Sequence, residues 1–157
     1  MKKTLVIILC LAVLLMPCAA FADTSQDIPV YINGNRTDLS IEPELVNGMC
    51  MVPFVELGRK ICGINANLIM DPVTGSCSGV MSYNGSFTSV TAGTNDATST
   101  SFGFLKLDAA SYFNREDLMV PLSLFNVLAE HGVYVSFDWA DPRIEITTAY
   151  AQNCPFF

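Results

Sequence analysis

The feature that most limits what this chain can fold into is an internal echo: Met51-Val52-Pro53-Phe54 returns as Met119-Val120-Pro121-Leu122. The echo runs on downstream. The spaced apolar residues Phe54, Leu57 and Ile61 are answered by Leu122, Phe125 and Ala129, and Gly63 by Gly132. Ala66, Leu68 and Met70 are answered by Val135, Phe137 and Trp139, and Asp71-Pro72 by Asp141-Pro142, so the offset drifts only from 68 to 70 residues. A near-constant spacing of this kind marks a supersecondary unit used twice. Each half spells a strand or hairpin, a short buried strand, a proline-led helix, a strand, a turn and a strand.

Local signals give the elements. Residues 28–32 carry β-branched and aromatic side chains and end at Asn33-Gly34, the strongest short-range hairpin signal, with a second strand expected over residues 36–41. Another Asn-Gly at 47–48 precedes a short buried strand over 49–52, and Pro53 suits the first turn of a helix. Phe54, Leu57 and Ile61 share one helical face, which Gly63 ends. A strand over 65–70 enters a turn at Asp71-Pro72 and Thr74-Gly75, and residues 79–83, Asn84-Gly85 and 86–90 form a further strand, turn and strand. Residues 91–101, rich in Ser, Thr, Asn and Gly, read as a loop that separates half-repeats of about 27–91 and 102–148.

A helix of about ten residues and an isolated hairpin are both marginal in water, so the elements must bury one another. The fold class expected is α+β: twisted antiparallel sheets wrapped around two short helices, built from two pseudo-repeats. The interior is assigned to Val52, Phe54, Leu57, Ile61, Leu68, Val120, Leu122, Phe125, Leu128, Val135, Phe137 and Ile144. Truncating a buried Phe or Leu among these should cost about 2–5 kcal/mol.

The first 22 residues read as a cleavable secretion signal: Lys2 and Lys3, an apolar run over 5–16, then Ala20-Phe21-Ala22 as a small-x-small cleavage site before Asp23. The apolar run is well short of the roughly 20 residues a spanning helix needs, so no stable membrane insertion is expected after cleavage. Pro17 stands before Cys18 where lipid attachment favours a small residue, so lipidation is not expected either. What remains is one domain over 23–149 and a tail over 150–157. The tail's apolar end, Pro155-Phe156-Phe157, either folds back, tied through Cys154, or docks on a partner. Without Lys2 and Lys3, 6 basic side chains face 15 acidic ones, a net charge of −9 that repels phosphate backbones and anionic lipid. The expected location is extracytoplasmic, in or beyond the cell envelope. An unidentified protein or cell-wall component is expected as partner, and nucleic acid is not.

Chemistry-bearing residues are sparse. Cys50, Cys62, Cys77 and Cys154 allow two disulfides in three connectivities, or four free and mostly buried thiols. No CxxC pair suggests a metal site. His131, the chain's single histidine, falls at the end of the second helix, where a partly cationic ring is favoured, and no Gly-x-Ser-x-Gly elbow accompanies it. Glu42/Glu44, Glu116/Asp117 and Asp138/Asp141 are acid pairs that a glycosidase would need, yet each lies beside a turn or strand edge. Residues 138–141 lack the Asp-x-Asp-x-Asp-Gly spacing of a calcium loop. No catalytic, cofactor or metal residue is therefore assigned. Tyr31, Tyr83, Tyr112, Tyr134 and Trp139 support a second reading, in which a sheet face or the 91–101 segment holds cell-wall glycan or peptide; a small hydrolase ranks third.

Val30-Tyr31-Ile32-Asn33-Gly34, Val46-Asn47-Gly48 and Met51-Val52-Pro53-Phe54 together resemble the copper amine oxidase N-terminal-like domain, or stalk domain. So do residues 117–122, 132–138 and Ile144-Glu145-Ile146 in the second half, and the resemblance spans residues 27–148. The chain departs from that family's pattern at Val55 and Ser123, where arginine is frequent, at an inserted Cys62, and at Ser76-Cys77-Ser78-Gly79. The resemblance implies a non-catalytic structural or interaction module, since in the oxidases this domain is an appendage remote from the copper and the quinone cofactor. An oxidase centre would need three histidines.

Overall fold

The computed structural model describes residues 27–149 except Cys62. The expected signal (1–22), the tail (150–157), Cys62 and Cys154 lie outside the described residues. In chain order the elements are β1 (Val30–Ile32), β2 (Asn35–Thr37), β3 (Glu44–Val46), β4 (Met49–Pro53), helix α1 (Phe54–Lys60), β5 (Asn65–Met70), β6 (Cys77–Tyr83), β7 (Ser86–Thr91), β8 (Asp96–Ser99) and β9 (Gly103–Lys106). They continue as β10 (Tyr112–Phe113), β11 (Leu118–Pro121), the 3-10 helix η1 (Leu122–His131), β12 (Val133–Asp138) and β13 (Arg143–Thr148). The molecule is mostly β-sheet with two short helices, and the sheets curl.

The three Asn-Gly turns fold as their chemistry requires. Both residues of Asn33-Gly34, Asn47-Gly48 and Asn84-Gly85 have positive φ, between 48° and 81°, as the tightest hairpin turns demand. They close β1–β2, β3–β4 and β6–β7.

The middle sheet has the order β10-β11-β4-β3 and is antiparallel throughout. Its central pair sets Val120 opposite Val52, with Met119 opposite Pro53 and Pro121 opposite Met51. The two Met-Val-Pro stretches are thus neighbours running in opposite directions. Each runs directly into a helix, β4 into α1 and β11 into η1, and each helix packs on the other's strand. Phe54 of α1 and Phe125 of η1 meet with ring centroids 6.2 Å apart, and both are fully buried. A five-stranded meander, β5-β6-β7-β8-β9, covers one side of the core. A sheet of order β12-β13-β1-β2 forms another wall, and there β1 joins β13 in parallel, the one exception to antiparallel pairing among the described strands.

Of the residues assigned to the interior, Val52, Phe54, Leu57, Ile61, Val120, Leu122, Phe125, Leu128 and Ile144 are buried, while Leu68, Val135 and Phe137 are half-buried against the core. β5 explains one departure. Ala66 is sealed but Met70 is half-exposed, because the strand's far end overruns the core and runs out to the turn at residues 71–75. There Asp71 accepts bonds from the Thr74 hydroxyl (2.7 Å) and the Val73 and Thr74 N–H groups, which hold its carboxyl below the usual range.

Two expectations are corrected, and the winding of the second helix is added. The strand expected over residues 36–41 ends at Thr37, because Glu56 draws the N–H groups of Ser40 (2.6 Å) and Ile41 (3.0 Å) onto its carboxylate at the start of α1. Residues 91–101 do not divide the chain as a loop: they contain β8, whose Thr98 hydroxyl bonds Ser89 at 2.7 Å across the sheet. The second helix is 3-10. With three residues per turn, Leu122, Phe125 and Leu128 stack on one edge, and Ala129 is left half-buried.

Gly79 shows how tightly the five-stranded sheet sits on the core. A Cβ there would stand 2.6 Å from Phe54 Cδ1 and Cε1 and 3.0 Å from Leu118 Cδ2, all on fully buried side chains with nowhere to retreat. Gly79→Ala is expected to destabilise the fold by about 1–3 kcal/mol in urea denaturation. A wild-type midpoint in that variant would show the Phe54 ring to be loosely held.

Candidate functional site

The acid pairs named from sequence are taken up largely by structural bonds. Asp117 is buried, and its carboxylate accepts N–H bonds from Val55 (3.1 Å), Glu56 (2.9 Å) and Leu118 (2.7 Å), capping α1 from the other half of the chain. The Asn114 side-chain oxygen in turn accepts from the N–H groups of Glu116 (3.1 Å) and Asp117 (2.9 Å). Glu44 accepts the Tyr112 hydroxyl. Asp138 accepts from the N–H groups of Ala140 (2.9 Å) and Asp141 (3.3 Å), and these bonds, with Arg143 beside it, hold its carboxyl below the usual range. A carboxyl held ionised in this way is a poor proton donor. Glu42 is exposed on the segment between β2 and β3.

His131 ends η1 with its ring edge-on to Tyr83 at 5.5 Å, and its Nε2 is enclosed without a hydrogen-bond partner among the described residues. Among those residues, no three His, Cys, Asp or Glu side chains gather closely enough to hold a metal, and no helix is long and apolar enough to cross a membrane. Cys50 and Cys77 are free and buried. Burial pushes the Cys50 thiol up to about 12, and burial together with the Asp117 charge raises that of Cys77.

A groove lies where the start of β4, the first turns of η1 and the end of β12 meet. Its volume is about 200 Å³. Cys50, Leu122, Val135 and Phe137 supply apolar wall, and Trp139 stands at the mouth, 62% exposed and edge-on to Phe137 at 4.6 Å between centroids. Asp108, Ser123 and Asn126 bring polar side chains to the same space, and none of the three holds a side-chain hydrogen bond or ion pair with another described residue. Each sits on a defined element or just beyond one, so the groove's shape is set by the core beneath it.

Of the aromatics named from sequence, Tyr83 is buried, Tyr31 and Tyr112 are half-buried, and Tyr134 and Trp139 are exposed. Only Trp139 opens onto the groove. Sequence reasoning missed Asp108, Ser123 and Asn126, which carry no motif.

Comparison with models of known protein families, with curated proteins and with solved structures finds no match to this chain.

The buried thiols yield a measurable consequence. The folded chain keeps a Cys50 proton that the unfolded chain releases above about pH 9, so the stability linked to it is whole below that pH and falls as pH rises toward 12. Iodoacetamide at about pH 8 is expected to spare Cys50 and Cys77 in native protein and to label both in denaturant, read by peptide mass mapping. Native labelling at the rate of an unfolded peptide would contradict this burial.

Proposed function

We propose that this chain is an exported, non-catalytic interaction module of a bacterial-type cell envelope, of the copper amine oxidase N-terminal-like kind, that holds a component of the wall. In this reading the domain is one strand-helix-hairpin unit used twice, and the two uses meet at Val52 and Val120. The antiparallel register of the Met-Val-Pro stretches supports that division.

The observation that carries the function is the groove at Trp139, a largely exposed indole with three unengaged polar side chains beside it. Exposed aromatic surface next to free hydrogen-bonding groups is what recognition sites offer and what a purely structural spacer lacks. Supporting the non-catalytic part, Asp117, Asp138 and Glu44 are engaged in structural bonds, and His131 faces Tyr83.

In cells making the full chain, the protein is expected outside the cytoplasmic membrane with Asp23 as its first residue. That product is expected to co-sediment with purified cell-wall sacculi and to release no soluble fragments from them. Trp139→Ala should lower the bound fraction severalfold. Absence of wall binding, or steady release of reducing sugar, would overturn the proposal.

A further inference from the structure

Resting on the reading of the groove as a wall-binding site, we propose that its occupant is a neutral, amide-bearing sugar: one N-acetylhexosamine residue of a glycan, its ring lying on Trp139. Size sets the first limit. At about 200 Å³ the groove is smaller than the roughly 300–1,000 Å³ that encloses a drug-sized molecule, so it takes one ring, and the rest of a chain must extend into solvent.

The wall chemistry sets the second. Trp139 offers a flat apolar face at the mouth, and Phe137, packed edge-on against it, fixes its tilt. The C–H face of a pyranose covers such a surface, while its hydroxyls stay at the edge. Leu122 and Cys50 line the same groove with apolar side chains, which suit a methyl group. Asn126, which also lines the groove, carries an amide with both a donor and an acceptor, the complement of an acetamido group, and Ser123 carries a hydroxyl. A methyl and an amide on one substituent are what separate an N-acetylated hexose from a plain one.

Charge sets the third. Among the described residues no Lys, Arg or His lines the groove, Asp108 lines it with a carboxylate-bearing side chain, and the chain as a whole carries a formal charge of −7. A uronate, a phosphate-bearing polymer or a free peptide carboxylate would enter this space uncompensated, a cost that a neutral sugar avoids. This balance favours glycan over wall peptide as the occupant.

Trp139 is the chain's single tryptophan, so its emission reports on the groove alone. Titrating the mature protein with di-N-acetylchitobiose is expected to shift that emission saturably, with cellobiose, which carries hydroxyls in place of acetamido groups, binding at least tenfold more weakly and digalacturonate giving no response. Asn126→Ala should weaken chitobiose binding tenfold or more by the same readout. Trp139→Ala, followed by calorimetry, should abolish it, and both side chains are exposed enough for the variants to fold. Equal affinity for chitobiose and cellobiose, or a saturable response to a D-alanyl-D-alanine peptide in place of sugar, would overturn the inference. If sacculi still bind while chitobiose does not, the inference fails and the wall-binding reading stands. If neither binds, both fail.

Discussion

The fold turns on one buried carboxylate. Asp117 stands just before β11, yet it accepts the N–H groups at the start of α1, whose second residue, Val55, lies 62 residues earlier in the chain. The helix has only seven residues, and Pro53 at its N-cap gives it no side-chain cap of its own. Its first N–H groups would be left unpaired in the core without this distant acceptor, and the carboxylate would be an uncompensated buried charge without them. Each cancels the cost of the other. The bond also fixes how far β11 slides along β4, and a slip of one residue would turn every inward side chain outward. From that register follow the meeting of Val52 with Val120, the contact of Phe54 with Phe125, and the seat of the Phe54 ring over Gly79.

The same constraint builds the groove. Its walls come from the strand that enters α1, from the first turns of η1, and from the strand that follows η1. Their separation is set by the paired strands behind them. The Asp117 charge also reaches Cys77 on β6, where it helps burial to keep the thiol protonated. The groove's apolar walls therefore stand on strands and helix, with Asp108 and Trp139 just beyond the ends of β9 and β12.

Much of the fold was legible because it rests on local chemistry. The Asn-Gly pairs announce their turns, and proline followed by spaced apolar residues announces both helices. What escaped reading was non-local. β8 is made of Asp, Ala, Thr and Ser, and such a strand is stabilised by hydroxyls that bond across to β7, a partnership that no single segment displays. The 3-10 winding of η1 follows the i, i+3 stacking of Leu122, Phe125 and Leu128 against the core, and the same residues would also suit an α-helix. Asp117 read as half of an acid pair, although its partners are backbone groups on a distant helix. The groove draws on Cys50, Asp108, Leu122, Ser123, Asn126, Phe137 and Trp139, brought together only by the fold, so only its tryptophan was named beforehand as a binding residue.

The most direct measurement of this account is the urea stability of Asp117→Ala against wild type. Loss of the carboxylate leaves the Val55, Glu56 and Leu118 N–H groups unpaired in the core, and a loss of about 2–4 kcal/mol is predicted, with one cooperative transition in both proteins. A variant as stable as wild type to within about 0.5 kcal/mol, the scatter of ordinary surface changes, would contradict the claim that this one side chain holds the two halves in register.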